Sequence, residues 1–191
     1  MGRDRSDRTP ADEERFRALF AASYPALCRY GFLRGLPRAD IEDLVAEVFA
    51  IAWRRLDAVP VDDPAPWLFA VARNVWRNQL RSAARVDGIA ARVAGPGVTY
   101  PVDPSGAPSP EAVRRAMAAL SDDDHEILRL VAWDGLTPTQ VAAVLGCSSA
   151  AARVRLHRAR SRLARLLDAH NACPPEERRS KEVPDGQGNA R

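Results

Sequence analysis

The chain has 191 residues, 46% of them hydrophobic, and a formal net charge of only +3 beside a sequence pI near 9.0. That length suits one medium domain or two small ones, and the apolar content excludes a wholly disordered chain. Cys28, Cys147 and Cys173 form no CxxC or even framework, and His125, His157 and His170 have no ligand spacing, so neither a disulfide scaffold nor a metal site is expected. In chain order, the polar opening "MGRDRSDRTP" carries no signal-peptide pattern and reads as a disordered N-terminus over residues 1–10. Helical periodicity then runs from Ala11 to Arg85 with no strand-like alternation. Residues 86–110, rich in Gly and Pro, read as a linker. Helical pattern resumes over 111–168, and residues 169–191 read as a disordered tail. The expected fold class is all-α, two small helical domains joined by a flexible linker. No apolar run approaches the roughly 18 residues of a membrane span, and a cytoplasmic location is expected.

Within the first unit, "LPRADIEDLVAEVFAIAWRRL" predicts a helix from Ile41 to Arg55 capped by Asp40. Ile41, Leu44, Val45, Val48, Ala52 and Leu56 fall on its inward side. Asp43, Glu47, Ala50 and Arg54 share another face. Two carboxylates one turn apart are either a solvated surface or a ridge for a basic helical partner. Asp63-Pro64 then starts a long helix. Leu68, Phe69, Ala72, Val75, Trp76 and Leu80 take its apolar side. Trp67, Ala70, Asn74, Arg77, Asn78, Arg81 and Arg85 form the other stripe. Amides and arginines are the groups that read bases and hold phosphates, and an aromatic can stack on a base. The plainer alternative keeps Trp67 in the core and the arginines in water.

The second unit divides cleanly. Ser121 caps a helix through Trp133 with Asp122, Asp123 and Asp124 at its positive end, and Asp134-Gly135 stops it. Thr137-Pro138-Thr139-Gln140 is a capping box opening a short helix to Leu145-Gly146. Ser148 caps a longer helix, completing a helix-turn-helix pattern whose second helix suits a major groove. At about 100° per residue, Ala152, Leu156, Ala159, Leu163 and Leu167 form its core seam. Ala150, Ala151, Val154, His157, Arg158, Ser161 and Arg165 lie opposite, flanked by Arg153, Arg155, Arg160 and Arg162. Small outward residues come first, where base edges would be approached, and basic ones follow, where phosphates would lie. A merely soluble face needs no such gradient. Lys181 is the only lysine among the 28 basic residues; arginine forks suit guanine and phosphate, and the alternative is that an Arg-heavy, Ala-heavy composition simply reflects the source genome. Arg158 is the first candidate for bidentate guanine contact, with Ala151, Arg153, Val154 and His157 secondary. Arg155 and Arg160 alternatively pack at the core boundary or pair with acids.

Three stretches together resemble the extracytoplasmic-function sigma factors, two-domain members of the sigma-70 family. "DIEDLVAEVFAIAWRRL" is similar to their region 2.2, "DDPAPWLFAVARNVWRNQLRS" to regions 2.3 to 2.4, and "LTPTQVAAVLGCSSAAARVRLHRARSRL" to region 4.2. The resemblance implies that Asp43 and Glu47 dock on the β′ clamp helices of core RNA polymerase. It implies that Asn74, Arg77, Asn78 and Arg81 face the −10 element, and that the loop from Asp57 to Asp63 holds a flipped base. It implies that Ala151, Arg153, Val154, His157 and Arg158 read the −35 element. Promoter DNA, the β′ and β subunits and an anti-sigma factor are the partners it implies, with no cofactor. Two departures stand out: "DAVPVDDPAP" is rich in Pro and lacks aromatics, and "SSAAARVRL" has Ala and Val where many members carry Gly-Thr-Val and Ser.

No phosphate-cradling Gly loop, metal cluster or nucleophile-base motif is present, so the chain reads as a non-enzyme. Two other readings compete. A stand-alone helix-turn-helix regulator would leave the Asp43/Glu47 helix and the second basic stripe without a role. A helical adaptor would use its basic faces on acidic proteins.

Overall fold

The computed structural model describes residues 8–87 and 109–171. Most of the expected linker, of the N-terminal ten residues and of the tail lies outside these ranges. Among the described residues there are seven α-helices and no strand: α1 (Pro10–Phe32), α2 (Arg38–Arg54), α3 (Ala65–Asp87), α4 (Pro110–Ala118), α5 (Asp122–Ala132), α6 (Pro138–Leu145) and α7 (Ser149–Asn171). A single 3-10 turn, Leu56–Ala58, follows α2.

The helix starts follow from capping chemistry. Thr9 and Asp12 exchange both bonds of a capping box at α1, the Thr9 amide reaching Asp12 Oδ2 at 3.0 Å and the Asp12 amide reaching Thr9 Oγ1 at 3.2 Å. Arg8, just ahead of that cap, donates to the Trp53 carbonyl at 2.6 Å with its guanidinium 5.1 Å from the Trp53 ring. Helix α2 begins three residues earlier than expected. Pro37, extended at φ −57° and ψ 156°, offers its carbonyl to the Ile41 amide at 3.0 Å. Asp40 therefore lies inside the first turn, where its charge meets the helix dipole, rather than at the cap. Ser121, Thr137 and Ser148 accept from the Asp124, Gln140 and Ala151 amides as their sequence signals require. Gly146 ends α6 with φ +65°, a left-handed conformation that L side chains rarely adopt. Helix α7 continues to Asn171, past the expected end near Asp168.

Helices α1, α2 and α3 pack on one another, and α7 gathers α4, α5 and α6. On α2, Leu44, Val45, Val48 and Ala52 are buried, Phe49 joins them, and Ile41 is half-buried. Ile41 packs on the backbone of Gly31, where a Cβ would meet its Cγ1 at 3.0 Å, so a larger residue there would make the Ile41 side chain give by a few tenths of an ångström. On α3, Leu68, Phe69, Ala72 and Val75 are buried, while Trp76 and Leu80 are half-buried. On α7 the seam is Ala152, Leu156 and Ala159, with Leu163 and Leu167 half-buried.

The two units also pack on each other, α3 against α6. At their boundary Arg34, from the turn after α1, is fully buried. It donates to Glu126 through Nε at 3.2 Å and Nη2 at 3.0 Å, to Asp134 Oδ2 at 3.3 Å and to the Tyr30 carbonyl at 3.0 Å. Its guanidinium lies 3.3 Å from the Tyr30 ring centroid and 5.8 Å from that of Trp76. The arrangement satisfies a charge that could not be buried alone. Burial alone would lower the Arg34 pKa, yet the Glu126 and Asp134 carboxylates beside it outweigh that and raise it.

Candidate nucleic-acid interface

Helix α7 presents the basic face its sequence describes. Arg153, Val154, Arg155, His157, Arg158, Arg160, Ser161 and Arg165 are exposed, and Ala151 is half-buried near the helix start. Val154 is 50% exposed, so an apolar side chain stands among the cations where a thymine methyl could be met. Arg155 and Arg160 are solvent-facing and do not pack at the core boundary. Arg162 instead donates to Asp124 at the start of α5, tying the long helix to the unit's base. The Ser161 hydroxyl donates to the His157 carbonyl at 3.0 Å, within the helix. Behind this face, Thr137 and Gln140 close the capping box of α6, with the Thr137 amide 2.9 Å from Gln140 Oε1. The turn from Gly146 to Ser148 then sets α7 across it.

Helix α3 carries the second face. Asn74, Arg77, Asn78 and Arg81 are all exposed on one stripe, and Arg81 donates to Asn78 Oδ1. Trp67 and Ala70, placed on that stripe by periodicity, are half-buried, and Trp67 packs against the core. The plainer reading of Trp67 is the correct one. The side chain of Arg85 lies outside the described ones. Arg77 reaches Asp123 at 3.1 Å, and Arg73, which the sequence reading left out, lies 3.9 Å from the same carboxylate. The loop from Asp57 to Asp63 is mostly exposed, with Val59 turned inward, Val61 76% exposed and the Arg15 guanidinium holding the Val59 carbonyl at 2.6 Å.

Helix α2 carries a third surface. Asp43 and Glu47 project into solvent with Ala46 and Ala50 exposed between and beyond them, a low acidic ridge. Next to it runs a feature that sequence reasoning missed. An open groove of about 590 Å³ is lined by Phe16, Phe20, Phe49, Ala50 and Trp53, with Glu13 and Arg17 at its edge. Phe20 and Phe49 lie 4.6 Å apart between ring centroids, and Phe16 and Trp53 lie 5.0 Å apart. Phe20 and Tyr24 are each 40% exposed. The signal was present as aromatics at 16, 20 and 24, one helical turn apart, on the flank of the α1 face that carries Leu27.

Among the described residues there is no cluster of His, Cys, Asp and Glu able to hold a metal ion, and no helix long and apolar enough to cross a membrane. The surfaces are thus two exposed Arg-bearing faces and an acidic ridge beside an aromatic groove.

Comparison with known proteins identifies the family. Residues 19–86 match the family described as Sigma-70 region 2, and residues 111–163 match Sigma-70, region 4. A probable RNA polymerase sigma factor, RfaY of Xanthomonas campestris, is 38% identical over 136 residues, which cover 64% of this chain but 33% of that protein. This chain thus spans about a third of that relative's length. The RNA polymerase sigma factor CarQ of Myxococcus xanthus is 33% identical over 164 residues, covering 81% of this chain and 90% of CarQ. Among solved structures, the sigma factor RpoE of Bartonella quintana, in complex with the anti-sigma factor NepR, superposes with a TM-score of 0.61 at 26% identity. That match covers 80% of this chain and 96% of RpoE. The chain belongs to the extracytoplasmic-function sigma factors of the sigma-70 family.

Proposed function

We propose that the chain binds core RNA polymerase through the α2 ridge and directs it to promoters by reading two DNA elements, one with α3 and one with α7. The observation that carries this is the coexistence of three exposed surfaces of fitting chemistry on one small all-α chain. Asp43 and Glu47 engage a basic helix of the β′ clamp, and the neighbouring aromatic groove takes apolar side chains of that helix, a helix-in-groove mode. Arg153, Val154, His157 and Arg158 enter the major groove at the −35 element, where Ala151 lets the helix lie close. Asn74, Arg77, Asn78 and Arg81 contact the −10 element, and the 57–63 loop receives a base taken out of the stack, readable there on its pairing edge. The chain supplies position and strand opening, and core polymerase supplies the chemistry. A protein partner of the anti-sigma class fits the same reading, since a relative of similar fold is solved bound to one.

Transcription with purified core polymerase tests the proposal. Start-site-specific transcripts that depend on this chain support it. A chain that binds duplex DNA as a dimer on palindromes and ignores core polymerase would instead be a stand-alone regulator.

A further inference from the structure

We infer that Arg34 is a latch that holds the two units closed on each other, and that closure engages the strand-side DNA surface while leaving the duplex-reading helix free. Arg34 belongs to the first unit, and its two carboxylate partners, Glu126 and Asp134, belong to the second. All three are buried. The cation is sandwiched by Tyr30 and gripped through both Nε and Nη2. The buried ion pair crosses from one unit to the other.

Closure has a specific effect on the surfaces described above. The Asp123 carboxylate sits on Arg77 and near Arg73, where a phosphate would be held. The Gln140 amide donates to Asp63 at 2.8 Å, so α6 also touches the 57–63 loop. A strand laid along α3 into that loop must displace both. Arg153, Val154, His157 and Arg158 on α7 stay exposed throughout. The closed chain therefore offers the duplex-reading face and withholds part of the strand-reading face. Opening, by whatever binds the first unit more tightly in the open form, releases Arg73, Arg77 and the loop together. This consequence for DNA rests on the reading under the preceding heading, whereas the latch itself does not.

The latch is asymmetric. Glu126 receives both Nε and Nη2, while Asp134 receives one contact and leaves its Oδ1 buried without a hydrogen-bond partner. Within the latch, Glu126 carries the larger share of the Arg34 contacts.

Small-angle X-ray scattering of the full chain, with circular dichroism to verify helix content, tests the latch. The wild type should scatter as a closed body. Arg34→Met and Glu126→Gln should each keep their helix content and shift to a larger radius of gyration, with Asp134→Asn shifting less. A wild type that is already extended, or helical Arg34 and Glu126 variants as closed as the wild type, would overturn the latch. If Arg34→Met loses helix content, Glu126→Gln decides alone. Titration with a random single-stranded 20-nucleotide pool and with a random duplex tests the consequence. The opened variants should bind the single strand severalfold more tightly, with duplex affinity unchanged. Opening without that gain would overturn the masking. Because neither measurement uses polymerase or a promoter, failure here leaves the sigma-factor reading standing, and absence of transcription leaves the latch standing.

Discussion

His125 and Arg158 show how much a single side chain decides. Burial, and then the Arg129 cation, hold the His125 imidazole down to about 4 from its ordinary 6.5, against the pull of Glu126 and Asp122. Between those values the unfolded chain binds more protons than the folded one, so stability rises with pH there. The contribution is complete above about pH 6.5 and is lost as pH falls toward 4. Asp134 runs the other way. Burial, chiefly, raises its carboxyl above the usual range in spite of Arg34, so it favours the folded state at the acid end. Thermal unfolding at about pH 7 and about pH 5 should therefore show a drop in Tm on acidification that is steeper in Asp134→Asn and flattened in His125→Gln. At Arg158 the prediction concerns specificity. Its replacement by Ala should cost about 1–3 kcal/mol and relax preference at one base pair, measured on a library of duplexes. An equal loss on every sequence would make it a phosphate anchor.

At the scale of helices, the capping signals carried most of what could be read. Thr137 and Gln140 form the box their order announces, and Thr137→Ala should destabilise the chain by about 1 kcal/mol in chemical denaturation, through the freed Gln140 amide. Gly146→Ala should cost about as much again, because φ +65° strains any Cβ. Helical period placed Leu44, Val48, Leu68, Ala72, Leu156 and Ala159 inside correctly, since each depends only on neighbours three and four residues away. The same local logic placed Trp67 on an outward stripe, and packing overrode it. The start of α2 was misplaced because Pro37 cannot cap with a side chain and leaves no polar signal at the true boundary. Six arginines lie between 153 and 165. If about half of them neutralise phosphates, duplex affinity should fall with salt at a log-log slope of about −3.

For the whole molecule, what the sequence could not carry is the pairing of its halves. Arg34 meets Glu126 and Asp134 across 92 and 100 residues, and nothing near Arg34 distinguishes it from a solvated arginine in a turn. Asp134 reads locally as a helix stop, yet its carboxyl is buried between units. The family resemblance, by contrast, needed only three local stretches in the right order, which is why the fold class and the family were legible in advance. The aromatic groove needed both α1 and α2 in place before its members met. The central claim is that one chain couples an acidic docking ridge to two promoter-reading faces. Run-off transcription with purified core polymerase, a promoter pool and either the wild type or the Asp43→Ala/Glu47→Ala variant tests it most directly. The account predicts start-site-specific transcripts with the wild type and a marked loss with the variant despite unchanged duplex binding. No chain-dependent transcript on any template, or full activity without those two carboxylates, would contradict it.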